Sequence, residues 1–396
     1  RDRSVSRGLG DVYKRQMKKN LFYYLFAVIC SVALFTSCSD DDDKIVSPVG
    51  ETTFTDANGL QLTYSGATML GKKVTFSPNA ADATKATLTL AGELDLSSMI
   101  NRSTGASPQA PGVIPGEITT VLNVENIVID GDKVKFKGTD EKNGRTINYD
   151  GEATSSFLKL NLTVSLPANA LAGTAFTTIE DGGLGSLYYK WDAAEFPYFG
   201  GTWDINSAIG LIISFTQIDG KTIPAMLAGI LHKITFLPDG NIQAEYKDEL
   251  TDAEWKTSDL NIATYTVDGD KIYLYLNPSQ IAASVNRSIG VDDILGNLIP
   301  AVLPMLSNGI PLSYSVDSDG NVTAYLDTAT LLPILKLVAP MFEDEEFVNS
   351  LIQMLTEQAG DMGYLVGMLK PVLVAMPQII ETTEVVQFGL KLAPVK

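Results

Sequence analysis

Residues 158–166 read Leu158-Lys159-Leu160-Asn161-Leu162-Thr163-Val164-Ser165-Leu166. Apolar side chains alternate with polar ones, the period of a strand with one buried face. Nine such residues span roughly 30 Å. Turn signals recur around this segment. Asp-Gly pairs begin at Asp130, Asp150, Asp181, Asp219, Asp239, Asp268 and Asp319, and Asn-Gly pairs at Asn58, Asn143 and Asn308. Both dipeptides tolerate the positive φ that two-residue hairpin turns demand. Ile272, Leu274 and Leu276 alternate with Tyr273 and Tyr275, and Phe388, Leu390 and Leu392 form a last strand. The chain therefore reads as mainly β, built of antiparallel meanders.

Two segments echo one another. Lys73-Val74-Thr75-Phe76 parallels Lys233-Ile234-Thr235-Phe236, and Ile129-Asp130-Gly131-Asp132-Lys133-Val134 parallels Val267-Asp268-Gly269-Asp270-Lys271-Ile272. The order is kept while the spacing differs, so either two related modules or shared turn chemistry accounts for it. The modular reading gives two antiparallel β modules, residues 51–195 and 196–396, with a boundary near Ala194–Gly201. An excursion rich in Ser, Pro and Gly interrupts the first at 97–117.

The second module carries apolar helical insertions. Residues 290–306 place Ile294, Leu295, Leu298, Ile299, Val302, Leu303 and Leu306 on one stripe, with Pro300 and Pro304 expected to kink it. Residues 344–358 put Phe347, Leu351 and Leu355 on one face, behind the acids Glu343 to Glu346 that suit a helix start. Residues 327–341 and 361–380 are more apolar still. Tyr364–Ile380 is too short for a membrane span and contains Lys370 and two prolines. The expected cover for these helices is the open end or outer face of a β-barrel.

Residues 1–16 lack periodicity and are expected to be upstream translation rather than fold. From Met17 the pattern is a secretory signal, residues 17–37: Lys18 and Lys19 precede an apolar run from Leu21 to Phe35. The run ends in Leu34-Phe35-Thr36-Ser37-Cys38, which resembles the processing motif of bacterial lipoproteins, with Phe35 where Leu is commonest. The resemblance implies cleavage before Cys38 and acylation of that residue. Ser39-Asp40-Asp41-Asp42-Asp43 follows, within an acidic tether at 38–50. It resembles the export signal that sends Bacteroidetes lipoproteins to the outer face of the outer membrane. That implies a lipid-anchored protein facing the cell exterior.

Charge and residue counts narrow the chemistry. The 396 residues are 45% hydrophobic and 19% charged, an ordinary globular balance. Residues 1–37 hold seven basic and two acidic residues, so processing leaves 22 against 45, a formal charge of −23. Such a chain makes a poor nucleic-acid partner. Cys30 leaves with the signal and Cys38 carries lipid, so no disulfide, thiolate nucleophile or Cys-ligated metal is expected. His232 is the only histidine, and no local nucleophile accompanies it. Asp317-Ser318-Asp319-Gly320-Asn321 lacks the Gly and Glu that a calcium loop needs and reads as a hairpin turn. No catalytic residue, metal site or cofactor is expected.

Gly201-Thr202-Trp203 resembles the Gly-x-Trp signature near the first strand of lipocalins and related calycin barrels. The likeness implies a calycin-like barrel, or otherwise a sandwich, in the second module, with Trp203 packed across one end. Asp327-Thr328-Ala329 is similar to the short acceptor pattern of Bacteroidetes O-glycosylation. The whole resembles the uncharacterised surface lipoproteins of that phylum. It implies a non-catalytic binding protein, taking a small apolar ligand in a cavity under the helices near Leu295, Leu298, Leu303, Leu351 and Leu355. Two alternatives stay open. One is a structural or adhesive module with a flat apolar patch. The other is a glycan-binding or glycan-processing accessory protein, presenting Trp191 or Trp255 to solvent.

Overall fold

The computed structural model describes residues 46–93, 110–180, 183–215, 217–218, 220–284, 305–359 and 363–395. Cys38, Ser39 and Asp40 to Asp43 lie outside these residues, as do Leu295, Leu298 and Leu303. The chain is mainly β, as the alternation predicts.

Residues up to Ser165 form two facing sheets. The first orders Thr52–Thr55, Lys72–Pro78, Ala86–Gly92 and Thr119–Val124, all antiparallel. The second orders Ala67–Thr68, Leu60–Tyr64, Leu158–Ser165, Arg145–Ala153, Lys133–Lys142 and Val128–Asp130. One pair breaks the antiparallel rule, since Leu60–Tyr64 runs parallel to Leu158–Leu162. Leu158, Leu160, Leu162 and Val164 are buried against Phe54, Val74, Phe76, Leu88 and Leu122 of the facing sheet. Each such side chain stabilises the fold by about 1.5–3 kcal/mol.

This core also holds a lysine. Lys72 donates its amine to the carbonyls of Pro111 (2.8 Å) and Gly112 (3.0 Å), tying down the end of the excursion. Burial pushes the amine down to about 8, against the pull of Asp56.

Apart from two short hairpins, the remaining strands form one ten-stranded sheet curved into a half-barrel. Its path runs Lys256–Thr257, Ile242–Tyr246, Leu231–Phe236, Thr174–Thr178, Val385–Pro394, Val322–Leu326, Ile310–Val316, Lys271–Leu276 and Ala263–Asp268. An isolated bridge between Asn241 and Thr264 draws the last strand back towards the first hairpin. Leu187–Asp192 pairs with the lower half of Val385–Pro394, and Thr174–Thr178 pairs with its upper half. The change of sheet therefore falls between Ser165 and Thr174, ahead of the expected Ala194–Gly201. The reason is that the C-terminal strand is long enough to take two short partners along one edge.

Most turn signals do what their chemistry suggests. Asp130 pairs with Lys133 and Asp268 with Lys271 across two-residue turns, with Gly131 and Gly269 at φ 65° and 60°. These match the Gly-first hairpin turn, so the two echoed segments share one geometry. Asp150-Gly151 is an exception. It lies inside the strand Arg145–Ala153, where the missing side chain makes room for the ring of Phe136.

Six α-helices have both ends among the described residues. They are α1 (Ile205–Phe215), α2 (Ile223–Ile230), α3 (Pro278–Ser284), α4 (Thr328–Val338), α5 (Glu345–Ala359) and α6 (Gly363–Glu381). The helical patterns at 327–341, 344–358 and 361–380 match α4 to α6. Asp344 accepts from Glu346 N–H at 2.8 Å and starts α5. The first three helices were not anticipated. Helices α1, α4 and α6 cover one end of the half-barrel over a core of Trp191, Phe196, Tyr198, Ile205, Ile379 and Val386. A second core, with Phe176, Phe236, Tyr265, Ile272 and Leu392, fills the other end. Among the described residues no helix is long and apolar enough to cross a membrane.

The two halves of the unit are joined by polar contacts. Tyr64 donates its hydroxyl to the Asp239 carbonyl at 2.5 Å. Asn261, buried at φ 66°, donates its side-chain amide to the carbonyls of Ala67 and Thr68, and its backbone N–H to Asn241.

Thr328 of the acceptor-like pattern lies half-buried in the first turn of α4. Asp327 is its N-cap, accepting from the backbone and hydroxyl of Thr330, and it also accepts from Lys271 (2.8 Å) and Ser313 (3.0 Å). The Thr328 hydroxyl is committed to the backbone of Val386, accepting at 2.9 Å and donating at 3.2 Å. The motif is thus a helix start tied to the C-terminal strand.

Burial alone raises the Asp327 carboxyl, but hydrogen bonds from Lys271, Thr330 and Ser313 outweigh it and hold it at about 2. A free Asp titrates near 3.9. Its stabilising effect is therefore complete above that range and lost as pH falls through about 2. Asp327→Asn should cost about 1–2 kcal/mol at neutral pH, read from urea midpoints. The gap should narrow as pH falls from 4 towards 2. A gap independent of pH would contradict this.

Candidate functional site

The Gly201-Thr202-Trp203 segment does not begin the barrel. It pairs with Phe196–Tyr198 in a separate two-stranded hairpin, Phe196 opposite Trp203. The first strand of the half-barrel is Thr174–Thr178. Trp203 nevertheless packs at the helical end, its ring 5.2 Å from that of Tyr198 in a T-shaped contact. Asp204 then accepts from Ser207 N–H at 2.8 Å and starts α1. Burial raises the Tyr198 hydroxyl above its ordinary range, and that hydroxyl has no hydrogen-bond partner among the described residues.

Helices α1 and α2 make a cavity with the segment between Thr174–Thr178 and Leu187–Asp192. Thr222 caps α2, accepting from Ala225 N–H, and Pro224 sits in the first turn where its missing N–H costs nothing. The cavity holds about 470 Å³, within the range of small-molecule sites. The apolar part of its wall is Ile179, Ile213, Pro224 and Ala225. Glu180, Lys221, Ser214 and Thr222 add one acid, one amine and two hydroxyls. Two glycines make the space. A side chain at Gly185 would press on the Ile179 carbonyl and Pro224, and one at Gly229 would meet Leu250.

The half-barrel carries an aromatic cluster of its own under α1. Tyr189, Trp191 and Phe388 alternate inward on paired strands, with Trp191 and Phe388 in edge contact at 5.9 Å. Phe388 lies between the two cores and keeps 36% of its surface exposed. The Tyr189 hydroxyl reaches the backbone of α1 where Gly210 leaves room. Burial raises that hydroxyl, and Asp204 adds to the shift.

Other expected site residues do not converge here. Leu351 lies half-buried on α5 and does not line the cavity; the side chain of Leu355 is outside the described residues. His232 stands in a bulge, exposed, its ring stacked 4.9 Å from that of Trp255. The Lys247 amine lies 4.6 Å from the same indole. Trp255 is 39% exposed, whereas Trp191 is buried at 6% with its indole N–H on Thr383. Asp317 caps its own hairpin through Asp319 and Asn321. Among the described residues no group of three or more acid, His or Cys side chains converges on a metal site.

No family model matches the chain, and neither a curated protein nor a solved structure shows significant similarity to it.

The hairpin tip beside the site is strained. Phe199 has φ 47° and Gly200 φ 78°, and Phe199 keeps 62% of its surface exposed. A bulky residue is disfavoured there, where Asn is preferred. Phe199→Asn should therefore raise stability by roughly 0.5–1 kcal/mol, read as a higher urea midpoint at unchanged slope. A lower midpoint would show that the aromatic contact with Tyr198, 4.5 Å away, outweighs the strain.

Proposed function

We propose that this chain is an outer-membrane lipoprotein, anchored through acylated Cys38 and facing the cell exterior. It acts as a non-catalytic module that binds a small, largely apolar ligand. The observation that carries the binding reading is the cavity between α1, α2 and Gly185, where Ile179, Ile213, Pro224 and Ala225 stand beside four polar side chains. The signal, Cys38 and the run Asp40 to Asp43 support the anchoring. Several acyl chains at about 0.8 kcal/mol per CH₂ make a stable anchor.

The binding test uses the processed full chain and 1-anilinonaphthalene-8-sulfonate, an apolar ring system with one anionic group. Saturable fluorescence enhancement is expected. Ala225→Trp, which fills the cavity from an exposed helix position, should weaken binding roughly tenfold or more. Equal binding by the variant, at an unchanged melting temperature, would remove the cavity from the account. Anchoring is read separately. Mass spectrometry of the N-terminal peptide should show acylated Cys38, and protease added to intact cells should consume the protein. An unmodified sulfur, or protection until lysis, would refute the anchor or the display respectively.

A further inference from the structure

The cavity beside α2 sorts its lining by depth. Pro224 is buried, Ile179 and Ile213 are half-buried, and Glu180 and Lys221 are exposed. The wall is therefore apolar inside and charged at the rim. Glu180 and Lys221 are the two ionisable groups among the described residues that line it, and they are opposite in sign.

Neither charge is spent within the protein. No ion pair among the described residues includes Glu180 or Lys221, so they are not partners of one another either. The smaller cavity at the junction of the two halves, about 200 Å³, differs in this respect. Its Arg145 guanidinium is already held by Glu117 at 2.5 Å and Asp140 at 2.6 Å. Lys221 also keeps its amine at the cavity wall. The Nζ lies over Gly229, 3.8 Å from where a side chain there would begin. On the facing segment, the Ser186 hydroxyl accepts from Ile179 N–H at 2.7 Å and pins the backbone just before Glu180.

We infer that this cavity takes a zwitterion with an apolar body, of the class of a free apolar α-amino acid. The inference rests on the cavity being a binding site and specifies its ligand. The body enters against Ile179, Ile213 and Pro224, the carboxylate meets the Lys221 amine, and the ammonium meets Glu180. The Thr222 oxygen accepts from Ala225 N–H at 3.4 Å, which leaves its proton to donate to the carboxylate. Singly charged molecules fit less well. An anion would satisfy Lys221 but face Glu180, and it would approach a chain of formal charge −18. A cation would satisfy Glu180 but face Lys221. A zwitterion pairs both groups and carries no net charge to be repelled. Because the rim is exposed, the ligand's charges keep part of their hydration and escape the cost that burdens buried ion pairs. For the same reason each pairing contributes a modest factor in affinity.

Three ligands that share an indole and differ in charge test this. L-tryptophan is the zwitterion, tryptamine the cation and indole-3-propionate the anion. Each is titrated calorimetrically into the processed full chain. L-tryptophan should bind roughly three- to fivefold tighter than either relative. Lys221→Gln should abolish its advantage over tryptamine, which lacks the carboxylate, and keep its advantage over indole-3-propionate. Glu180→Gln should do the reverse. Both side chains are exposed, so both variants should keep the parent melting temperature. No binding of L-tryptophan, equal affinity for the three indoles, tightest binding of the anion or the cation, or ratios that neither variant alters would each overturn the inference. The underlying binding reading is judged apart from it: that reading falls if Ala225→Trp leaves the binding of 1-anilinonaphthalene-8-sulfonate unchanged, whatever the indoles do.

Discussion

The strand Val385–Pro394 is the constraint on which the second half of the molecule depends. One edge pairs Phe388 to Leu392 with Val322–Leu326, and the other pairs almost its whole length with the two short strands Thr174–Thr178 and Leu187–Asp192. Removing it would separate strands near residue 175 from those near residue 323. At its centre Gly389 allows the neighbouring strand to come close, and the rings of Tyr188 and Tyr325 close over the gap at 5.2 Å. The same strand carries Val386 into the helical core and Leu392 into the barrel core. Such pairings are distant in sequence, so loop-closure entropy is spent before they form. The half-barrel is expected to complete only when the last residues have folded.

That dependence explains how the cavity is framed. Leu187–Asp192 is held by the C-terminal strand, and the segment before it supplies Ile179, Glu180 and Gly185 to the cavity wall. Helix α1 is positioned from both ends, by Asp204 at its start and by packing on Tyr189 and α6 along its length. The site thus rests on rigid elements, although its own lining comes from loops and short helices. A pocket of this kind needs little reorganisation to accept a ligand.

Strands were more legible in the sequence than the site. The Leu158–Leu166 alternation, the turns at Asp130, Asn143 and Asp268, and the stripes of α4 to α6 all follow from local chemistry. Asp150-Gly151 misled because turn and mid-strand glycine look alike until the partner, Phe136, is known. Gly201-Thr202-Trp203 misled because three residues do not fix which sheet they join. Helix α1, Ile205–Phe215, holds four Ile among its eleven residues, and its apolar run fits a buried strand as readily as a helix. The signal for it was Asp204 three residues before Ser207. For α2 it was Thr222 ahead of Pro224, a helix start that local reading can recognise. The cavity itself was not legible, since Gly185 and Gly229 meet only through tertiary packing.

The distribution of charge carries information that the total does not. A strongly acidic surface keeps a protein soluble and discourages non-specific contact, so a concave place with few acids is where contact is cheap. The cavity beside α2 is concave and carries a single acid, Glu180, beside the Lys221 amine. The buried Tyr64–Asp239 and Asn261 contacts tie the sandwich to the half-barrel on which that cavity is framed.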